Sequence, residues 1–437
     1  MTIQSAPITE RRYVLPLILV TSLFFLWALG VNLNDILIPH LKKAFGLSDT
    51  QSSLIQFAFF GGYFLAALPA GRLMERVGYK RGILMGLLIC ATGALLFIPA
   101  ASVRIYAFFL FALFVMACGQ SFLEVAANSY VTFLGPPQTS ERRLNFAQFF
   151  NSVGAVVTPF IGAAFILSGI EYSHQQLAAM PASELLAYRA SEAAMVKIPY
   201  LLISGIFLLV GALIYFSDLP EIQESSEDAP EQRQHHSLRE VWNYPHLVRG
   251  VVAQFLYVGA QVGVASFVIR FVQFTTHGTP EKVAANYLKL HLIGFMLGRF
   301  LGAAVMKYVP APKLLSLFAG ASLVCIVVAI GGSGLVPVWA IVLIGFFHSI
   351  MFPTIFSLSI KQVGAFAKKG SSLLVMSIVG GAILPLVMGA ISDASNIQFA
   401  LVMPLLAYVY ILYFAAQGYK PRIVATCPQT VVAIEAK

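Results

Sequence analysis

The chain has 437 residues, 58% of them hydrophobic and only 11% charged, with a mean hydropathy of +0.81. A soluble domain carries about a quarter charged residues, so there is too little charge to wet a set of globular surfaces, and the composition fits a chain made mostly of transmembrane helix. The net charge of +9, from 28 Lys and Arg against 19 Asp and Glu, would point a soluble protein toward nucleic acid. In a membrane protein it reads first as basic cytoplasmic loops, and no nucleic-acid partner is expected.

Apolar segments fall, in chain order, at 14–39, 52–75, 82–102, 105–134, 144–169, 198–217, 248–275, 285–306, 313–333, 337–360, 371–393 and 397–416. Each can cross about 30 Å of hydrocarbon at about 1.5 Å per residue. The first is too long and unbroken for a cleavable signal peptide. Twelve spans put both termini on one side of the bilayer. With the N-terminus inside, all but eight of the 28 basic residues (Lys42, Lys43, Arg104, Arg189, Lys197, Arg270, Lys282 and Lys289) lie in or near cytoplasmic loops. That bias follows the positive-inside rule, and predicts a multi-pass protein of the plasma membrane (the inner membrane in a bacterium) with both termini cytoplasmic.

The polar stretch 218–246, which begins SDLPEIQESSEDAPEQRQHH, separates spans six and seven. Its Glu, Ser, Gln and Pro content reads as a flexible cytoplasmic linker, with an acidic regulatory site as the alternative. The expected organisation is a six-helix half over 1–217, the linker 218–246, a second six-helix half over 247–417 and a cytoplasmic tail 418–437. The loop 170–197 carries some helical periodicity and is expected on the outer surface. The halves echo each other: Gly71 and Gly302 end spans two and eight, and Gly154–Pro159 in span five matches Gly380–Pro385 in span eleven, all near one offset. A repeated helical unit is a transporter signature, with the substrate site at the interface near the midplane.

Two carboxylates sit deep in spans, Asp35 in the first and Glu124 in the fourth. Such placement costs about 2.5–3.5 kcal/mol or more on insertion scales, so a cavity-facing function is favoured over a structural ion pair. Only Arg299 lies near a span centre as a basic partner. Around the acids run polar stripes at helical spacing: Asn32 with Asp35; Ser121, Glu124, Asn128 and Thr132; Asn145, Gln148 and Asn151; Gln254, Tyr257 and Gln261. Interhelical hydrogen-bond glue accounts for one such residue per helix; four extended stripes point instead to a wet cavity. Amides and carboxylates can fork to vicinal hydroxyls, which makes a neutral polyhydroxylated solute the natural guest. Trp27, Phe60, Tyr63 and Tyr257 are open to two readings, sugar-stacking faces or packing. His348, one turn from Phe352, is open to a proton relay, a cavity hydrogen bond or packing.

In the loop Gly71–Arg81, which includes Gly78, a small residue permits close helix contact, while Glu75 with Arg76, Lys80 and Arg81 can form ion pairs that hold one conformation closed. No enzyme chemistry is visible. The four cysteines (Cys90, Cys118, Cys325, Cys427) are scattered, there is no HExxH motif, and in Gly364–Gly370 the lysines precede the second glycine, which breaks the P-loop requirement. Without an ATP site, active transport must draw on an ion gradient, and no cofactor is expected.

The runs SLFFLWALGVNLNDILIPHL, FLEVAANSYVTFLG, RLNFAQFFNSVGA, AQFLYVGAQ and FPTIFSLSIK resemble the fucose–proton symporter family of the major facilitator superfamily, and the Gly71–Arg81 loop is similar to that superfamily's cytoplasmic motif. The resemblance implies an all-α membrane protein of twelve helices in two pseudo-symmetric halves, a monomer that takes up a hexose or 6-deoxyhexose with a proton. It makes Asp35 the proton-carrying carboxylate and Glu124 the link between sugar contact and protonation. Asn32, Asn128, Gln148 and Asn151 become sugar-facing groups, with Tyr257, Gln261 and Phe352 opposite. Three positions depart from the fucose pattern: Ala265 replaces a tryptophan, Phe352 a tyrosine, and Ser129 the proline that usually follows the AAN triplet. L-Fucose is the best single expectation, and galactose, glucose, mannose and N-acetylglucosamine are carried by other members. A sodium-coupled transporter of the same fold and a non-transporting membrane sensor are the alternatives.

Overall fold

The computed structural model describes residues 7–45, 47, 49–165, 176, 179–220 and 238–421, which are helical with short connections. The linker residues 221–237 and the tail from 422, with Cys427, lie outside the described residues. So does the side chain of Asp35, although its backbone belongs to the first helix.

The first half comprises α1 (Val14–Phe45), α2 (Asp49–Val103), α3 (Tyr106–Phe133), α4 (Ser140–Phe165), α5 (Ala182–Ala194) and α6 (Lys197–Phe216). The 55 residues of α2 would measure about 80 Å as one straight helix, more than twice a hydrocarbon core. It is two spans joined at Gly78, whose φ of 82° and ψ of 173° lie where residues with a Cβ rarely go. Eleven stretches among the described residues are long and apolar enough to cross a membrane. One of them, Leu54–Val103, holds both spans on either side of Gly78, which gives the twelve crossings expected. The amphipathic α5 supplies the helical turns anticipated within the loop 170–197 and rests against α1 and α2.

The second half comprises α7 (Pro245–Thr275), α8 (Glu281–Val305), α9 (Ala311–Gly331), α10 (Leu335–His348), α11 (Met351–Ser359), α12 (Ala367–Met376), α13 (Gly380–Ala394) and α14 (Val402–Tyr413). Three expected spans are therefore interrupted: α10 and α11 form one, α12 and α13 another, and a single turn at Ile397–Ala400 precedes α14. The break between α10 and α11 has a local cause. Pro353 has no N–H to give the carbonyl four residues back, which leaves Ser349 O free to accept from the Arg299 Nε at 3.0 Å. His348 O accepts from the Tyr257 hydroxyl at 2.9 Å. The interruption of one span is thus tied to side chains from α7 and α8.

The two halves repeat one packing solution. A Cβ on Gly154 of α4 would sit 2.8 Å from Phe25 O of α1, and a Cβ on Gly380 at the start of α13 would press against Phe255 O of α7. The matched glycines thus bring equivalent pairs of helices to backbone distance, the close approach that small residues give in a bilayer. Gly302 does not repeat the surroundings of Gly71: it faces Ile350, whereas Gly71 faces Ser372 and Lys368 O across the two halves. Helix α3 is buried continuously from Gly119 to Thr132, and α11 is buried along its whole length. Across the interface, α4 packs on α8 and α11, while α2 and α3 pack on α12.

Arg143, counted among the basic residues in or near cytoplasmic loops, is buried at the α3–α4 turn. Its guanidinium donates to Val131 O (2.6 Å), Thr132 O (2.5 Å) and Ile8 O (2.7 Å). The charge is satisfied by carbonyls at the end of α3 and by Ile8 O, which pins the N-terminal segment there.

Candidate functional site

Between the halves lies a cavity of about 180 Å³. At about 10–15 Å³ per water-sized position, that is roughly 12–18 such positions, room for a small solute and not for a macromolecular segment. The inner spans supply its walls because their polar stripes turn toward each other.

The polar wall comes mainly from the first half: Asn32 of α1, Glu124 of α3, and Gln148 and Asn151 of α4. Glu124 is 7% exposed, and the Tyr63 side chain and Asn128 amide lie against its carboxyl group. The Gln148 amide is oriented from both ends. Its Nε2 donates to Asn128 Oδ1 at 3.1 Å, and its Oε1 accepts from Arg299 Nη1 at 3.2 Å. The same Nη1 also donates to Gln148 O at 2.8 Å and to Asn151 Oδ1 at 3.3 Å. Asn151 Nδ2 is bonded to Phe24 O at 3.2 Å, and Asn32 Nδ2 to Ala28 O at 2.7 Å. The Asn32 and Asn151 amides are therefore fixed by backbone carbonyls. Gln261 faces this wall from α7.

Aromatic side chains close the other sides: Trp27, Phe59, Phe60 and Tyr63, with Phe352 from α11. Phe24 and Trp27 pack with centroids 4.3 Å apart, and Phe59 and Tyr63 at 5.1 Å. One wall of amide and carboxyl groups and another of ring faces suit a neutral ring compound that is hydroxylated at its rim and apolar on its faces.

Of the residues expected to face substrate, Asn32, Glu124, Gln148, Asn151, Gln261 and Phe352 line this cavity. Two stand behind it. Asn128 is fully buried beneath Gln148, and Tyr257 is fully buried with its hydroxyl donated to His348 O and its ring 6.5 Å from that of Phe352. Trp27, Phe60 and Tyr63, read as stacking or packing, belong to the lining. His348 does not: its Nε2 is 2.6 Å from the Tyr408 hydroxyl, in the interior of the second half. Arg299 was not among the residues expected at the site, yet it lines the cavity, only 4% exposed, with Phe295 4.4 Å beneath its guanidinium. The available signal was its place as the lone basic residue near a span centre.

On the side of the α3–α4 turn, polar contacts join the halves beyond the cavity. Asn145 Nδ2 donates to Thr354 Oγ1 at 3.1 Å, Ser357 Oγ to Ser140 Oγ at 3.1 Å, and Ser129 Oγ to Ser371 Oγ at 2.6 Å. Glu141 pairs with Lys361, and Glu75 with Lys369 at 3.1 Å. Glu75 thus pairs across the halves and not with the basic residues of its own loop. Lys80 instead donates to Ser217 O at 2.6 Å and Tyr215 O at 3.1 Å, where α6 ends. Arg76 and Arg81 are exposed.

The model of the Major Facilitator Superfamily matches residues 20–378. The chain is 43% identical over 413 residues to a protein of Brucella abortus (strain 9-941) named glucose/galactose transporter, covering 94% of this chain and 96% of that one. It is 42% identical over 410 residues to the L-fucose-proton symporter of Escherichia coli K12, covering 93% of each. The crystal structure of the fucose:proton symporter FucP in the outward conformation superposes with a TM-score of 0.86 at 41% identity, covering 93% of this chain and 99% of that one. A match over most of the chain, at this identity, on a fold with the same helical plan, makes this protein a member of the Major Facilitator Superfamily.

Proposed function

We propose that this chain is a proton-coupled symporter that imports a hexose or 6-deoxyhexose by alternating access. At the coarser level it is a sugar transporter of the superfamily and not an enzyme, as its relatives are named for sugar transport. The observation that carries the reading is the cavity itself, in which fixed amides and a buried carboxyl group face aromatic side chains at the interface of the halves. Relatives named for glucose and galactose and for L-fucose stand at nearly equal identity. Phe352 supplies a ring without a hydroxyl to the cavity, which favours a broader hexose range over a fucose-only site.

In this reading Asp35 carries the proton and Glu124 joins sugar contact to protonation, with the polar wall as the sugar's hydrogen-bonding partners. A carboxyl group crosses a low-dielectric interior most readily when neutral, so loading on the outer side and release on the inner side give the cycle its direction. One charge moving down 100 mV supplies about 2.3 kcal/mol, enough for roughly 40-fold accumulation of sugar. Both termini face the cytoplasm, the protein acts as a monomer, and the proton gradient takes the place of a cofactor. The contacts from Glu141–Lys361 to Ser129–Ser371 then close the cytoplasmic side of an outward-facing state.

The test is exchange in proteoliposomes loaded with unlabelled sugar. Labelled glucose, galactose, mannose, L-fucose and N-acetylglucosamine should show that at least one hexose or 6-deoxyhexose is exchanged and competed by its relatives. Failure of all five to exchange refutes the reading.

A further inference from the structure

The buried groups beyond the cavity floor have unused hydrogen-bonding capacity, which a simple closure would not need. Asn145 lies one turn from Gln148 along α4, and Thr354 lies two residues from Phe352 along α11, so the Asn145–Thr354 contact begins where the cavity ends. Ser140–Ser357 continues the line, and Ser129–Ser371 runs beside it between α3 and α12. All six residues are at most 5% exposed. Any solute leaving on this side must pass between them.

Two amides have open valences. Asn145 Oδ1 and both side-chain polar atoms of Gln254 have no hydrogen-bond partner, and both residues are 0% exposed. Gln254 shares a face of α7 with Gly250, which abuts Ser359, and with Tyr257, which bonds His348 O; the helical spacing sets it toward α11 between those levels. One turn beyond Tyr257 on this stripe, Gln261 lines the cavity. Buried polar groups in native proteins are nearly always paired, and the exceptions call for an explanation. Apolar side chains would close the path without leaving amides dry. Hydroxyls and amides, each able to donate and accept, instead match a ligand that is neutral and polyhydroxylated.

We propose that Asn145, Thr354, Ser140 and Ser357, with Gln254 alongside, form a second sugar subsite that becomes available when the halves part on the cytoplasmic side. Contacts that close the path in the outward-facing state are exchanged, one hydroxyl at a time, for bonds to the departing sugar. The sugar then meets no dry apolar throat between the cavity and the cytoplasm. The proposal rests on the symport reading above and goes beyond it by assigning a site to residues outside the cavity.

The experiment compares half-saturation for sugar at the two faces of the reconstituted protein, with orientation fixed by an impermeant cysteine reagent and exchange measured from each side. Thr354→Val removes the hydroxyl at nearly constant volume. It should raise the cytoplasmic half-saturation constant about two- to ten-fold, the loss of one neutral hydrogen bond, and leave the outer constant at its wild-type value. Ser357→Ala should act in the same direction, and Thr354→Ser should restore the wild-type constant. Unchanged values at both faces overturn the proposal. So does a reciprocal change, tighter inside and weaker outside, because losing a contact that only holds the cytoplasmic side closed shifts the equilibrium toward the inward-open state. Wild-type protein that exchanges no sugar at either face refutes the transport reading itself. Wild-type exchange with indifferent variants refutes only the subsite.

Discussion

Arg299→Met removes the one guanidinium in the cavity wall while keeping a long side chain over Phe295. The residue's Nη1 serves three acceptors on α4, Gln148 O at 2.8 Å, Gln148 Oε1 at 3.2 Å and Asn151 Oδ1 at 3.3 Å. Its two hydrogens can make no more than two full bonds at once, and the side-chain contacts are at the long end of the usual range. Taking about 1.5 kcal/mol for each charge-assisted bond at that length gives about 3 kcal/mol gross, part of which returns when the released amides bond to water or to the sugar. A net loss of about 1.5–2 kcal/mol corresponds to roughly 10–30-fold weaker sugar binding, because Gln148 and Asn151 lose the orientation that presents them to the cavity. Titration calorimetry on purified protein reads this directly. Arg299→Lys should fall between wild type and Met, since an ammonium keeps the charge but not the forked geometry. Sugar affinity within twofold of wild type in Arg299→Met would refute the argument that this residue sets the polar wall.

Four further outcomes can be measured. Asp35→Asn should abolish uphill uptake driven by a pH gradient while sugar exchange persists, measured side by side in one proteoliposome preparation; undiminished accumulation would remove Asp35 from the coupling role. Glu124→Ala, which empties a place beside Tyr63 and Asn128, should weaken sugar binding at least tenfold by calorimetry, a loss of about 1.4 kcal/mol and within the range for a charge-assisted hydrogen bond; an unchanged affinity would argue against contact with the sugar. Gly71→Val places a side chain against Ser372 and Lys368 O and should hold the cytoplasmic side apart, seen as faster labelling of a cysteine introduced at Ser371; slower or equal labelling would contradict the closure assigned to this contact. Phe352→Tyr adds a hydroxyl to the aromatic wall and should shift the ratio of fucose to glucose affinity toward fucose, which a competition panel would detect; a ratio that does not move, or moves toward glucose, would free Phe352 of any part in selecting the sugar.

The helical plan was legible because membrane spans announce themselves by length and apolarity, and because Asp35 and Glu124 stand out against so little charge. The Gly154–Pro159 and Gly380–Pro385 echo pointed to a repeated helical unit, and in the structure both glycines lie close against a helix carbonyl, Phe25 O and Phe255 O. Helical spacing found the stripes but not which residue of each stripe reaches the cavity. Asn128 and Tyr257 share a helix face with residues that do, yet each is turned into a neighbouring helix. Arg299 escaped assignment because its partners come from the other half and from a carbonyl freed by Pro353, neither of which is local in sequence. The pairing of Glu75 with Lys369 and not with its own loop has the same origin. Nearby opposite charges in sequence are an invitation to pair, but packing of α2 on α12 decides the partner.

The central claim is that sugar and proton move together. Its most direct measurement is the pH of a weakly buffered, sodium-free suspension of proteoliposomes when sugar is added outside with no gradient imposed. Symport predicts alkalinisation of the outer medium as protons enter with sugar, abolished by a protonophore and absent in Asp35→Asn. Sugar entry with no pH change, or entry that begins only when sodium is supplied, would contradict it.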